Sequence, residues 1–342
     1  MILALHKLAR CRFLSIASLT TTATDPADAW DATLDPTRAF FSFSEKAAAE
    51  LATFLAAQPV LDGLTEVRAV EFIPARAGDL PAFAAEARAM VDRLVLAGPR
   101  FAVAHPTPGL SLQQQLAVPW LLANLLGDTL AQNETGDRFY IITDRGGRME
   151  EGARYSQTRQ GGSFHTDGVN LKEGYDYFLL SCIAPAAHGG ESVLLNGSAV
   201  HHALQHRAPE ALPMLQRDFV WEYKGIQSGR YYHEPILKMV DGQPRWRYLR
   251  DYLEEAARQQ DAPLDAGAVT AMDQLDAVLD DAALQFRHIL HAGETVIIND
   301  RQIFHGRTPF EDHPGAVDLE CHLAATSNMP LKRTYSRFWV NA

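Results

Sequence analysis

An imidazole and a carboxylate stand two residues apart in Phe164-His165-Thr166-Asp167-Gly168. On an extended chain such residues face the same side, and a strand ending in a turn at this point lets both reach one ion. A third ligand, a histidine, has to come from elsewhere. The best candidate is His305, in Gly293-Glu294-Thr295-Val296-Ile297-Ile298-Asn299-Asp300-Arg301-Gln302-Ile303-Phe304-His305-Gly306-Arg307. There the Gly-Glu pair reads as a turn, the next four residues as strand, and the histidine follows shortly after it. Two histidines and one carboxylate leave three coordination positions open, the ligand set of non-haem iron(II) oxygenases. Three-histidine or cysteine-rich sets suit zinc better.

Other residues compete for a chemical role. His188, His201, His202 and His206 form a sequence cluster, and His202 and His206 have the i, i+4 spacing of a helix face. No Glu lies between them in the zinc-protease pattern. His288 and His291 flank the turn before the distal strand and are expected at the surface. Arg154, Tyr155, Gln157 and Arg159 lie on a polar run leading to Gly161-Gly162, just ahead of the metal motif. Arg333 and Arg337 alternate with Tyr335 and Phe338, as on a half-buried strand. Asn299 and Asp300 are expected as turn residues or as support for the ligands. Arg307 could equally contact a cofactor or support His305.

The elements that must position these groups fall into two regions. Helices are expected at Ser44 to Ala57, with Ser44 as N-cap, at Leu80 to Leu96, and at Leu112 to Leu126 with a kink at Pro119. A short strand spans Phe101 to Ala104. From Phe139 onward, short apolar runs are separated by Gly, Asn, Asp and Pro, as in sheet-rich folds. These runs are Phe139 to Ile142, Tyr177 to Ile183, Ser192 to Leu195, Phe219 to Tyr223, Thr295 to Ile298 and Phe338 to Val340. Helices at about Ala199 to His206, Asp251 to Gln259 and Val269 to Leu279 interrupt them. The layout suggests a mainly β protein, with helices packed outside a double-sheet jelly roll of the cupin kind. A single domain over 1–342 is expected. It comprises a helix-rich part over 25–135 and a jelly-roll core over 136–342, with an insert at about 200–290 carrying Tyr231-Tyr232-His233 and Arg245-Trp246-Arg247-Tyr248.

Composition narrows the partners. The 342 residues carry a net charge of -11 and no basic run, which argues against nucleic acid. No apolar run approaches the length of a membrane span. The three cysteines, Cys11, Cys182 and Cys321, lie far apart and form no CxxC pair, which favours a reduced, cytoplasmic setting. Residues 1–24 hold no acid but contain Lys7, Arg10 and Arg12 among Ser and Thr, so an organellar transit peptide is the alternative to a surface extension. A homo-oligomer is compatible with all of this.

Taken in order, Phe-His165-Thr-Asp167, Gly189-Gly190-Glu191-Ser192, the run from Gly293 to Arg307, and Arg333-Thr334-Tyr335-Ser336-Arg337-Phe338-Trp339-Val340 resemble the taurine dioxygenase-like superfamily. Gamma-butyrobetaine hydroxylase and clavaminate synthase are among its members. The resemblance runs from about Arg100 to the C-terminus. It implies a double-stranded β-helix that uses Fe(II), 2-oxoglutarate and O2, with His165, Asp167 and His305 as metal ligands. It further implies that an arginine on the last core strand, here Arg333, pairs with the distal carboxylate of 2-oxoglutarate. Ser192 stands in the assisting Thr/Ser position of that pattern. A guanidinium suits such a carboxylate because it binds bidentately. Arg333 lies 333 - 305 = 28 residues beyond His305, longer than the family's usual spacing, so an inserted loop is expected between them. The paired pattern implies that Arg337 takes an acidic group of the substrate, and relatives recruit side chains from the region of Gln157.

The function so implied is oxidation, by default hydroxylation, of a C–H bond in a small anionic molecule such as an amino acid or other carboxylate, releasing succinate and CO2. Desaturation or cyclisation would use the same residues. Two readings of other classes remain: a metal-dependent hydrolase with the same ligands, which would need a positioned general base, and a jelly-roll binding protein without catalysis.

Overall fold

The computed structural model describes residues 36–148, 155–162, 164–325 and 329–342. The suggested transit segment 1–24 and the candidate Arg154 lie outside them. In chain order come β1 (Phe40–Phe41), α1 (Glu45–Ala56), α2 (Pro81–Met90), β2 (Phe101–Ala104), α3 (Leu112–Leu126), β3 (Asp128–Thr129) and β4 (Tyr140–Thr143). Then follow β5 (Tyr177–Ala184), β6 (His188–Gly189), β7 (Ser192–Asn196), α4 (Gly197–Arg207), α5 (Ala211–Leu215), β8 (Asp218–Glu222), β9 (Tyr231–Pro235), β10 (Leu237–Val240), β11 (Gln243–Trp246), α6 (Arg250–Gln259) and α7 (Ala266–Leu279). The chain closes with β12 (Phe286–His288), β13 (Thr295–Asn299), β14 (Ile303–Arg307), β15 (Phe310–Glu311), α8 (Leu319–Ala325) and β16 (Thr334–Asn341).

Local sequence explains where the helices start. Ser44 caps α1 by accepting from the Ala47 N–H, and Ser111 with Gln114 forms a capping box on α3. Pro119 sits inside α3, which nevertheless continues to Leu126. The helix at 81–90 runs on into a π-helical turn, Val91–Leu96, as the apolar spacing up to Leu96 predicts.

Among the described residues the largest sheet has seven strands, ordered β1-β2-β13-β5-β16-β3 with β4 also paired to β16. It is mixed: β1 and β2 run parallel, whereas β13 is antiparallel to both β2 and β5. A smaller sheet has the order β12-β7-β14. Side chains alternate across both sheets, as the two-residue strand period requires. The outer face of the large sheet, with Leu179, Ile297, Phe338 and Val340, packs on α1, α2 and α3. Its inner face, with Phe178, Val296, Ile298, Tyr335 and Trp339, meets Leu194, Phe286 and Ile303 of the small sheet. The far face of the small sheet, with Leu195 and Phe304, packs on α4, α5, α6 and α7. The molecule is therefore layered helix, sheet, sheet, helix.

Three expectations are corrected. The protein is a mixed helix-and-sheet structure rather than mainly β, because the Ala- and Leu-rich stretches form packed layers on both outer faces and not a thin decoration. His305 follows β13 as expected, but lies within a further strand, β14, directly opposite Leu194. Residues 164–168 form no strand of their own; His165 makes a single bridge to His305, through mutual backbone hydrogen bonds of 3.0 and 2.8 Å. The last strand also begins earlier than the Phe338–Val340 run suggests, and its pairing with β5 slips by a register shift between Thr334 and Tyr335.

Phe338 fixes the depth of β16 against the helical layer: it is fully buried and packs edge-on to Phe139, with ring centroids 5.1 Å apart. Phe338→Ala is expected to cost about 3–5 kcal/mol, the usual penalty of an aromatic cavity. Urea unfolding checks this, and a loss below 1 kcal/mol, as for an ordinary surface change, would show that the strand is held some other way.

Candidate functional site

Where the two sheets meet, the bridge between His165 and His305 sets their rings 4.4 Å apart, centroid to centroid. Asp167 follows two residues after His165, and the ligand atoms of His165, Asp167 and His305 all lie within 4.8 Å of one another. His165 Nε2 is 3.9 Å from Asp167 Oδ1. The other carboxylate oxygen, Oδ2, is turned away and accepts from Arg337 Nη1 and from Trp339 Nε1, each at 2.9 Å. One oxygen is thus held by β16 while the other faces the histidines.

The electrostatics favour ligand-competent forms. Burial works against ionisation of Asp167, but the Arg337 guanidinium, the two imidazoles and the Trp339 N–H outweigh it and hold the carboxyl below its ordinary range. Burial pushes His305 down to about 3, so its ring is neutral, as a metal ligand must be. Asp300 is buried beside them; burial and the neighbouring Asp167 push it up to about 8. Its Oδ1 accepts the Asp167 backbone N–H at 2.9 Å and lies 3.8 Å from His305 Nδ1. Asp300 is therefore the group that sits behind two of the three ligands, the place where supporting side chains orient a metal-bound histidine. Two imidazoles and a one-oxygen carboxylate whose ligand atoms lie within 4.8 Å of one another fit a divalent iron with open positions.

Next to this cluster lies an unneutralised cationic pair. Arg333 is 3% exposed; its Nε makes no hydrogen bond, and no carboxylate side chain pairs with its guanidinium among the described residues. It stacks on Tyr335 at 3.9 Å and on Phe310 at 4.9 Å. Arg307, also buried, stacks on the same Phe310 and on Tyr155. Its Nη2 donates to the Thr158 carbonyl at 3.0 Å, while Nη1 has no partner. Tyr155 links the two centres, since its ring also meets His165 edge-on at 5.6 Å. Gly189 and Gly190 both adopt left-handed φ, +70° and +74°. A Cβ on Gly189 would fall 2.1 Å from the Pro309 carbonyl oxygen, and one on Gly190 would fall 3.0 Å from Arg333 Nε. The glycine pair is what lets Arg333 lie against the turn. Ser192 is in register with Arg307 across β7 and β14, so both side chains point between the sheets. A buried guanidinium without an anion fits the distal carboxylate of a keto acid. The segment between β14 and Arg333 contains β15 and α8, in keeping with the long spacing from His305.

A cavity of about 430 Å³ opens onto the metal cluster, lined on the sheet side by Gln132, Tyr140, Arg337 and Trp339 and at its mouth by Lys224, Asp251 and Glu255. Arg337 faces this cavity, but its guanidinium is already engaged: Nη1 with Asp167 and Nε with Gln132 Oε1 at 2.7 Å. The expected contact with a substrate acid is thus at best a second duty, behind its hold on Asp167. Gln157 is half-buried on the turn Tyr155–Gln157, of which Tyr155 and Ser156 line the cavity and Gln157 does not. His202 and His206 meet at the exposed surface of α4. Sequence reasoning passed over Gln132 and Trp339. For Trp339 there was a usable signal: it is two residues beyond Arg337 on one strand and so shares its face. Gln132, from the loop after β3, carried none.

The taurine catabolism dioxygenase TauD, TfdA family matches residues 74–322, a span that holds His165, Asp167 and His305 and stops short of Arg333. FR-33289 synthase of Streptomyces rubellomurinus (strain ATCC 31215) is 25% identical over 243 residues, which is 69% of this chain and 66% of that protein. Uridine-5'-phosphate dioxygenase of Streptomyces sp is 31% identical over 177 residues, 46% of this chain and 63% of that one. The chain therefore spans just under two thirds of the length of these curated relatives. Among solved structures, asparagine oxygenase in complex with Fe(II), 2S,3S-3-hydroxyasparagine and succinate superposes with a TM-score of 0.64 at 20% identity, covering 89% of this chain and 94% of that one. The non-heme iron oxygenase OrfP in complex with Fe and alpha-ketoglutaric acid gives 0.58 at 19% identity, covering 88% and 94%. These likenesses show the fold.

If Oδ2 of Asp167 is steered from β16, Trp339→Phe should keep the core filled yet weaken Fe(II) binding roughly 10–100-fold, the usual effect of removing a partner of a metal ligand. Anaerobic Fe(II) titration checks this; wild-type affinity in Trp339→Phe would show that Arg337 orients the carboxylate alone.

Proposed function

The chain belongs to the TauD, TfdA family of dioxygenases, and we propose that it hydroxylates a C–H bond of a small polar molecule, using Fe(II), 2-oxoglutarate and O2. The observation that carries this reading is the pairing of two unlike centres in one inter-sheet space. His165, Asp167 and His305 offer a set for iron with open positions, and one aromatic ring away Arg333 is a buried cation without an anion. On this reading the two sheets are the halves of a jelly roll, and the site lies between them.

When bound, Fe(II) supplies the centre at which O2 is reduced while the keto acid is split to succinate and CO2. The protein's own part is binding and orientation. His165, Asp167 and His305 hold the metal, with Asp167 limited to one oxygen by Arg337 and Trp339. Arg333 takes the distal carboxylate of 2-oxoglutarate, with Arg307 adjacent and the Ser192 hydroxyl on the same face. The rings of Tyr155, Phe310 and Tyr335 around those arginines exclude water, which strengthens a charge-assisted contact. Gln132, Tyr140 and Arg337 border the space left for the substrate. An acidic group on the substrate would meet Arg337 on the side not committed to Asp167, and Lys224 at the mouth. Uridine-5'-phosphate dioxygenase and asparagine oxygenase, as named, act on small polar molecules; the same class is proposed here.

Arg333→Ala should raise the 2-oxoglutarate dissociation constant by tens-fold or more, since truncating a buried charge partner costs about 2–5 kcal/mol, while Fe(II) affinity stays within twofold. The assay is succinate release, dependent on Fe(II) and O2, over a panel of amino acids and nucleotides. Unchanged 2-oxoglutarate binding in Arg333→Ala would remove the anchor, and no binding of 2-oxoglutarate to the Fe(II)-loaded wild type would remove the function.

A further inference from the structure

At the far end of β13 from the catalytic cluster, three imidazoles converge on one buried carboxylate. Glu294, in the turn before β13, has a side chain only 5% exposed. Its Oε2 meets His288 Nε2 at 2.8 Å, accepts the His291 backbone N–H at 2.9 Å and lies 3.3 Å from His291 Nδ1. Its Oε1 is 3.2 Å from His105 Nδ1. Among the described residues no lysine or arginine forms an ion pair with it, so its charge is met by imidazoles and one backbone N–H. Burying a carboxylate with no fixed positive charge beside it is costly. The ring nitrogens around it can ligate a metal, and the ligand atoms of His288, His291 and Glu294 lie within 4.8 Å of one another.

The rings are also held in place. Phe40 stacks on His105 with centroids 5.3 Å apart and an interplanar angle of 14°, and presents an edge to His288 at 5.1 Å. Such support pre-orients ligands. Two imidazole nitrogens and one carboxylate oxygen from the protein make the His2Glu set that zinc takes with a water in the fourth position, while His105 holds the other oxygen of Glu294. The groups around the site come from different layers. His105 directly follows β2 of the large sheet, His288 belongs to β12 of the small sheet, and His291 and Glu294 lie in the corner joining β12 to β13.

We propose that His288, His291 and Glu294 form a second site for a divalent transition metal, Zn(II), which pins the corner between β12 and β13 at the end opposite the catalytic ligands, with His105 of the large sheet orienting Glu294. Six residue steps, through β13, separate Glu294 from Asp300 by about 20 Å of chain, so the two metals do not share a ligand. The site holds the corner from which β13 leads toward Asp300 and His305.

The test uses the full chain without an affinity tag, freed of metal by chelation. In wild type, bound Zn(II) should reach two equivalents and fall to one in His288→Ala/His291→Ala. In the Asp167→Ala/His305→Ala background, one equivalent should remain, and Co(II) in its place should give the intense visible absorption of a tetrahedral site. His291, whose ring is 72% exposed, can be removed without opening the core, so His291→Ala should fold normally and bind Zn(II) at least tenfold more weakly in that background. A wild type that binds a single equivalent, or a His291→Ala whose Zn(II) affinity is unchanged, would overturn the proposal and leave the histidines as hydrogen-bond partners of Glu294 alone.

Discussion

A carboxylate as buried as that of Asp167 must have its charge compensated, and the groups that do so tie three parts of the chain together. Arg337 and Trp339 hold one oxygen from the last strand, the Asp167 backbone N–H is fixed by Asp300 at the head of β14, and the second oxygen faces His165 and His305. Arg337 is itself held by Gln132 from the loop after β3. Coulomb attraction at this range and low exposure is strong enough to outweigh the cost of burial, which is why the group stays ionised. The same contacts decide which oxygen is offered to a metal. A carboxylate free to rotate could present both oxygens and take up one of the open positions that an oxygenase needs.

Arg333 poses the reverse problem, a buried cation with no side-chain anion among the described residues. Two guanidiniums, Arg333 and Arg307, share the face of Phe310 and repel each other, and each is stabilised by stacking on aromatic rings. Stacking at a few kcal/mol or less does not replace a counter-ion. It is the arrangement that a doubly acidic keto acid would relieve. The positive φ of Gly189 and Gly190 belongs to the same economy: the turn brings its backbone to Pro309 and Arg333 at a distance no side chain would permit.

Much of this could be read from the sequence, and the parts that could not share a cause. The convergence of His165, Asp167 and His305 was legible because His-x-Asp is local and because the Gly-Glu turn, the apolar run and His305 form one recognisable stretch. Ser44 as a cap, the Phe101–Ala104 strand and the α3 boundaries were legible for the same reason: short-range chemistry decides them. The placing of His305 inside β14 was not, because Asp300–Gln302 forms one 3-10 turn that splits an apparently continuous run into two strands belonging to different sheets. Arg337 was recognised as facing the site, but its partner, 170 residues away, is set by the register of β16 on β5 and not by any pattern around it. Gln132 and the His105, His288, Glu294 cluster are likewise products of tertiary register. The long helices were read at nearly their full extent, whereas the short α5 and α8 were missed because five and seven residues show too little helical period.

The division of labour between elements also bears on which parts of the chain set specificity. The three candidate metal ligands and Arg333 sit on or beside β14 and β16, strands locked by neighbours on both sides or by the inter-sheet core. The mouth of the cavity is supplied instead by the 168–170 turn, by Lys224 and by α6, which brings Asp251, Glu254, Glu255 and Arg258. Lys224 pairs with Glu255, and Glu254 with Arg250 at 2.8 Å. Half-exposed ion pairs of this kind contribute little to stability, so exchanging them leaves the fold almost untouched while changing the charge a substrate meets. On the proposed function, chemistry therefore resides in residues the fold cannot alter without losing buried compensation, and substrate choice resides in residues the fold hardly constrains.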